Sequence, residues 1–340
     1  MKKRRLGIIG KFLFFLNSVA GFLLLSAYIL PYLPPRSFPY LSVLSLGMPV
    51  LLAVNLLFLF YWIIRLRRQF LLSLIILIVG FNHLLSLYKF KNQKSDSSEE
   101  GIRMMSYNVR QFNRYDWIKD KTIPEKIKNF IKEESPDVIL FQEYVTDEVK
   151  FEDYPYSYIK LVEGKFGQSI YSKFPIIHSG SLDFKHTANN VIFSDLVIDK
   201  DTVRVFNMHL QSHRIDKDIR TLDAESGKKL TKKMGVSFRT QQQQVQQLLK
   251  SLAESPYPNI IGGDMNNTAF SYTYRKLTEN HTDAFKVAGS GLGSTFIMDF
   301  IPLRIDYFLI YPQFKIMEFK TYKTKFSDHE PVLVGISLEK

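Results

Sequence analysis

The chain has 340 residues, 46% of them apolar, and a formal net charge of +12. That is enough apolar material for one sizeable core with more to spare, and the absence of cysteine excludes disulfides, thiolate metal sites and a cysteine nucleophile. The charge resembles a nucleic-acid signal until it is located: twelve basic and no acidic residues precede residue 95, which leaves 33 of each sign downstream and a formally neutral C-terminal part.

Three uncharged apolar runs, residues 12–33, 41–64 and 70–88, come first. Each has roughly the length of the ~20 residues needed to cross a hydrocarbon core, so three transmembrane helices are expected. Asn17, Asn55, Asn82 and His83 interrupt them, and such polar groups are expected to face neighbouring helices. The start, Met-Lys-Lys-Arg-Arg, resembles a secretory signal peptide, but the run is long, lacks a small-x-small cleavage pattern and is followed by two more spans, so it reads as a retained helix. Basic residues concentrate at the N-terminus (Lys2, Lys3, Arg4, Arg5, Lys11) and in the second loop (Arg65, Arg67, Arg68), against Arg36 alone in the first, although Lys89, Lys91 and Lys94 pull the other way. The positive-inside rule then places the N-terminus in the cytoplasm, and three crossings deliver the rest of this multi-pass chain to the extracytoplasmic side. The expected division is an anchor at 1–90, a polar linker at 91–101 and a catalytic domain at 102–340.

Downstream, the patterning predicts strands at 102–109, 137–141, 168–172, 191–198, 202–210, 259–262, 305–310, 314–319 and 332–337. Helices are expected at 123–134 and, from a Ser237 cap, at 237–252. Residues 213–235 read as a long polar loop. Many strands in succession with few helices indicate an α/β (α+β) domain of two packed sheets with outer helices.

Several strands end abruptly in polar residues: Met105-Ser-Tyr-Asn108, Ile139-Leu-Phe-Gln-Glu143, Phe206-Asn-Met-His209, Ile260-Ile-Gly-Gly-Asp264-Met-Asn266 and Phe326-Ser-Asp328-His329. In Arg304-Ile-Asp306-Tyr the acid leads into the apolar run instead. Strand ends at one edge of a sheet hold catalytic groups rigidly and still let them meet a ligand. With Ser172-Lys-Phe-Pro175, the ordered set resembles the endonuclease/exonuclease/phosphatase superfamily over nearly all of residues 102–338. The resemblance implies a four-layer sandwich of two mixed β-sheets flanked by helices, and divalent-metal-dependent hydrolysis of phosphoesters.

On that resemblance Glu143 is the principal metal ligand, since hard cations take carboxylate oxygen. Asn108 helps to place it, and Asp328 completes the metal shell or serves the leaving-group side. Magnesium is the expected metal, with manganese the substitute. Asp264 is the general base for the attacking water, and Asn266 hydrogen-bonds the phosphate, with Gly262 and Gly263 allowing close backbone approach. Asp306 orients His329 and keeps it charged, so that it stabilises the phosphoryl oxygens, and His209 adds a second contact. His178, His186, His213 and His281 lack such company, although His213 lies close to His209 in sequence. Water attack in line needs no covalent intermediate. The phosphoester partner stays open among a lipid headgroup, a nucleotide and a nucleic acid; a membrane-anchored nuclease and a catalytically inert scaffold on a membrane anchor are the competing readings.

Overall fold

The computed structural model describes residues 6–90, 101–213, 224–298 and 301–338. The basic start at 1–5, the linker residues 91–100 and loop residues 214–223 lie outside them. The apolar first part forms α1 (Ile8–Ala27), α2 (Pro39–Val43), α3 (Met48–Ile64), α4 (Phe70–Val79) and α5 (Phe81–Leu87). Two helical stretches, Ile8–Tyr32 and Pro39–Ile64, are each long and apolar enough to cross a membrane.

The third expected span is not one straight helix: α4 and α5 meet at a bend of 79°. The corner is Gly80, and a Cβ there would lie 2.0 Å from the hydroxyl oxygen of Tyr28, whose ring packs directly against the glycine. That hydroxyl donates to the Ile76 carbonyl at 3.1 Å. The Ile76 carbonyl keeps its ladder bond from the Gly80 N–H at 3.0 Å, so the kink falls at the glycine against which the Tyr28 ring is packed. The polar intrusions do face neighbouring helices. Asn17 donates to Ser73 Oγ at 2.7 Å and accepts from Trp62 Nε1 at 3.0 Å, and Asn55 donates to the Ala20 carbonyl. These pairs make α3 antiparallel and α4 parallel to α1. His83 stacks on Tyr28 at 5.0 Å.

The second part contains α6 (Ile123–Glu134), α7 (Ala224–Ala253), α8 (Tyr272–Leu277) and α9 (Ala284–Ala288). Its strands are β1 (Ile102–Asn108), β2 (Val138–Tyr144), β3 (Tyr156–Val162), β4 (Phe166–Ser172), β5 (Ile176–Ser181), β6 (Asn190–Ile198) and β7 (Asp201–His209). They continue with β8 (Asn259–Asp264), β9 (Thr282–Asp283), β10 (Phe296–Met298), β11 (Ile301–Leu303), β12 (Asp306–Ile310), β13 (Phe314–Thr321) and β14 (Val332–Leu338). One six-stranded sheet runs β13-β14-β1-β2-β4-β3, the other β5-β6-β7-β8-β12-β9, and β10-β11 form a separate hairpin. Both large sheets mix parallel and antiparallel pairs, β1-β2 and β7-β8 being the parallel ones. The strands unread in the sequence include β3 and β5, which are sheet edges with little buried alternation.

Alternation along each strand builds the layers. Met104, Leu140, Val205, Ile260 and Phe308 point into the seam between the sheets. Met105 and Ile139 point out towards α6, whereas Phe206, Ile261 and Leu309 point out towards α7. Both faces of the central strands are therefore covered, which explains their nearly continuous apolar sequences. The expected four-layer sandwich is present.

Helix α7 begins at Ala224, so the expected loop is helical from there, and Ser237 is interior rather than a cap. Its hydroxyl bonds the Ser212 and Lys233 carbonyls. This polar stretch gains its support from the first part of the chain, where Pro39 packs against Gly235.

The sandwich and the apolar helices are joined by specific contacts. Phe270 is buried in the core cluster of the apolar helices, Lys89 and Gly291 form a β-bridge, and Arg275 Nε donates to the Pro31 carbonyl at 3.0 Å. Arg304, two residues before Asp306, is not part of the site opening. It is 6% exposed, pairs with Asp283 at 2.9 Å, lies between the rings of Phe285 and Tyr307, and donates to the Ser86 carbonyl of α5. Arg304→Ala is expected to cost about 3–5 kcal/mol, because it strands the buried Asp283 carboxylate. The check is denaturant unfolding of the detergent-solubilised full chain, in which an unchanged midpoint would refute the assignment.

Candidate active site

Strand register assembles the site. In the second sheet His209 lies opposite Asp264, and Asp264 opposite Asp306, so three neighbouring strands present them side by side. In the first sheet Asn108 lies opposite Gln142. Asn108, His209, Asp264 and Asp306 share the parity of the seam-facing apolar residues of their strands, so all four stand where the seam between the sheets opens.

Glu143 has the wrong parity for that. The β2-β4 register shifts between Gln142 and Tyr144, and Glu143 has a left-handed φ of 51°. A bulge of this kind re-aims a side chain, and here it places Glu143 within hydrogen-bond reach of Asn108.

The focal atom is Asp264 Oδ2. It accepts from Asn108 Nδ2 and from Asn266 Nδ2, each at 3.1 Å, and lies 3.7 Å from His209 Nε2 and 3.8 Å from His329 Nε2. Asp264 Oδ1 accepts from the Asn266 backbone N–H at 2.7 Å. On the far side of His329, Nδ1 lies 3.0 Å from Asp306 Oδ2. The structure thus brings Asn108, Glu143, His209, Asp264, Asn266, Asp306 and His329 together. Asp328 stands at the rim, 36% exposed, with Arg110 Nη1 at 3.3 Å.

Burial sets the protonation states. It pushes Asp264 up to about 7; the nearby Asp306 adds to this, and His329 opposes it. Burial works against a charged His329, yet Asp306 and Asp264 outweigh it and raise the imidazole to about 10. His209 is lowered to about 3, by burial and then by the His329 charge, and is therefore neutral. Glu143 is raised, by burial and by repulsion from Asp328.

Several contributors have no sequence signal. Arg110 begins a run of four left-handed residues, 110–113, and its guanidinium stacks on Trp117 at 4.5 Å; in the sequence it is an ordinary charged residue after a strand. Thr295 Oγ1 accepts from the backbone N–H groups of Ile305 and Asp306 and so fixes the start of β12. Phe296 packs against the His329 ring. Ser327 Oγ donates to the Asn108 carbonyl at 2.8 Å and ties the Asp328-His329 loop to β1. Gln142 and Asn207 link the two sheets beneath the site through a bond of 2.7 Å. Gly262 and Gly263 have another reason than expected: a Cβ on Gly262 would meet Leu140 at 2.4 Å, and Gly263, at φ 135°, lies against the Met208 backbone. His213 is buried against Phe238 at 4.7 Å.

Asp264, Asp306 and His329 also form a buried group with donor atoms close enough to share one cation. Two sheets, a carboxylate-imidazole cluster at their common edge and a second acidic pair beside it define the class of a metal-dependent phosphoesterase. The family model described as Endonuclease/Exonuclease/phosphatase family matches residues 105–329, about two thirds of the chain. The chain belongs to that family, and it is a phosphoester-hydrolysing enzyme. A second model, described as a domain of unknown function (DUF8431), matches residues 10–87.

Solved structures share the fold. An endonuclease/exonuclease/phosphatase from Bacteroides vulgatus is 18% identical, with 71% of this chain and 100% of that chain covered and a TM-score of 0.53. TDP2 from D. rerio, complexed with single strand DNA product, is 14% identical, with 70% and 100% covered and a TM-score of 0.53. Truncated TDP2 from Caenorhabditis elegans is 16% identical, with 69% and 97% covered and a TM-score of 0.51. No curated protein matches the chain.

Proposed function

We propose that this protein is a membrane-anchored, divalent-metal-dependent phosphoester hydrolase, with residues 1–90 as anchor and 102–340 as catalytic domain. The convergence of Asn108, Asn266, His209 and His329 on one buried carboxylate, Asp264, carries the reading. Asp264 takes the proton of the attacking water, a task suited to a carboxyl raised towards neutrality. His329, held charged by Asp306, faces the phosphoryl oxygens, and neutral His209 donates a hydrogen bond to them. Asn266 gives its amide hydrogens to Asp264 and to the Leu210 carbonyl at 2.9 Å, so it holds the base in place.

Glu143 fits a hard cation, because its half-buried carboxylate is raised by burial and by repulsion from Asp328, and a bound cation would relieve that repulsion. Asn108 adds a neutral oxygen donor without further repulsion. When bound, the cation, magnesium by preference, neutralises charge on the phosphoester. The Asp264-Asp306-His329 group is the poorer home for it, since His329 holds its proton. Glu143→Gln is expected to weaken magnesium binding by on the order of 10–100-fold, read by titration calorimetry, with chelation abolishing turnover and magnesium restoring it. A variant that binds magnesium like the parent would remove Glu143 from the ligand set. The pH-rate profile should be bell-shaped. Its acid limb, from Asp264, lies well above the usual carboxylate range, and its alkaline limb, from His329, well above the usual imidazole range.

The same helices support the proposed sidedness. The loop between Tyr32 and Pro39 and the exit at Lys89 both touch the catalytic domain. The loop 65–69, with Arg65, Arg67 and Arg68, is at the other end of the antiparallel helices. This supports an extracytoplasmic catalytic domain under the positive-inside rule. The anchor favours a membrane phosphodiester as substrate, whereas the DNA product held by the related D. rerio fold favours a nuclease. Detergent-solubilised full chain with magnesium, assayed against single-stranded DNA, nucleotides and phospholipids, separates them; no turnover on any would refute the hydrolase reading.

A further inference from the structure

Helix α7 carries four lysines within two turns, Lys228, Lys229, Lys232 and Lys233. Residues 228, 231, 232, 235 and 242 fall on one face of the helix. Along that face Gly235 lies against Pro39, and Gln242 Oε1 accepts from the Arg36 backbone N–H at 2.7 Å. It is therefore the face on which the segment joining the two apolar spans is seated. Towards the start of the helix it opens onto a cavity of about 530 Å³ lined by Tyr40, Gly227, Lys228, Thr231 and Lys232.

The chemistry of that cavity is cationic. The Thr231 hydroxyl donates to the Gly227 carbonyl at 2.9 Å, so the two ammonium groups are its strongest donors. Lys228 and Lys232 are exposed and have no acidic partner among the described residues. On the other wall, Tyr40 (56% exposed) is followed by exposed Leu41 and Leu44 as the chain enters the second span. An aromatic ring at the end of a span marks the headgroup level of a bilayer. The combination is a pair of exposed cations with no acidic partner among the described residues, an amphipathic ring, and apolar surface continuous with a helix long and apolar enough to cross a membrane.

We propose that this cavity binds the headgroup of an anionic phospholipid. The lipid phosphate sits between Lys228 and Lys232, and the acyl chains run beside Leu41 and Leu44. The inference rests on the membrane placement proposed above. It is independent of catalysis, because none of these residues belongs to the active site. Bound lipid would bridge α7 to the span-connecting segment and stabilise the docking of the catalytic domain on its anchor. Two lysines near an anionic surface correspond to a preference on the order of 30-fold over zwitterionic lipid.

The test uses the full chain in dodecylmaltoside micelles, titrated with dioleoylphosphatidylglycerol, dioleoylphosphatidylcholine or inorganic phosphate, with Tm as readout. Phosphatidylglycerol alone should raise Tm by on the order of 2–4 °C. The rise should vanish in Lys228→Gln/Lys232→Gln and persist in Lys228→Arg/Lys232→Arg. An equal rise with phosphatidylcholine, an equal rise in the glutamine variant, no rise at all, or the same rise with inorganic phosphate overturns the proposal. Flotation with phosphatidylcholine vesicles checks the membrane placement separately. A chain that fails to float refutes both, and one that floats without a phosphatidylglycerol effect refutes the lipid site alone.

Discussion

Asp264→Asn should lower kcat by about 10²–10⁴-fold, the range for removal of a general base. The substitution keeps the shape of the side chain and removes its ability to take a proton. Its amide oxygen can still accept from the Asn266 backbone N–H, which now bonds Oδ1. The new amide hydrogens would face Asn108 Nδ2 and Asn266 Nδ2, so Asp264→Ala is the companion variant that relieves the donor conflict. Near-UV circular dichroism and Tm report whether the fold persists. Turnover within a factor of about three of the parent in both variants would be incompatible with Asp264 as the base, whereas loss of turnover with intact magnesium binding is the expected result.

His329→Gln carries the second large effect, an expected loss of about 10²–10³-fold in kcat from removal of a positioned charge facing the phosphoryl oxygens. It also alters the pH profile. The imidazole lowers Asp264 from where burial alone would put it, so without His329 the acid limb should move to higher pH. Because the two residues act as a unit, the double variant should be little slower than the slower single one. Stability follows a defined sign. His329 is raised in the folded chain, so its contribution is fully present below the ordinary imidazole pKa near 6.5 and is lost as pH rises towards about 10. His209, lowered to about 3, contributes in the opposite sense, above the ordinary imidazole pKa, and its contribution is lost as pH falls. A full multiplicative loss in the double variant, or an unmoved acid limb, would sink the coupling.

Most of the site was legible because its signals are local. An apolar strand that ends in a polar residue of seam-facing parity announces both the strand and where the residue points, as for Asn108, His209 and Asp264. Arg110 and Thr295 were not legible, because their roles come from partners far along the chain: Asp328 for one, and the backbone of Ile305 and Asp306 for the other. The charge argument was legible in part. The +12 excess lies around the apolar helices, and within the C-terminal part the lysine cluster of α7 gains its meaning only from Tyr40 and Pro39.

The sequence by itself determined the apolar helices, the alternation of the central strands, and the identity of the residues at their ends. Short-range periodicity and side-chain chemistry suffice for those. Only the tertiary structure decided the bulge that turns Glu143 into the site, the bend at Gly80, the early start of α7 and the placement of Arg304 against α5. Each of these is set by contacts across the fold: β2 with β4, Gly80 with Tyr28, Gly235 with Pro39, and Arg304 with Asp283 and Ser86. Contacts between residues so far apart leave no periodic trace in the chain, because the energy that fixes them appears only when the sheets and helices have packed.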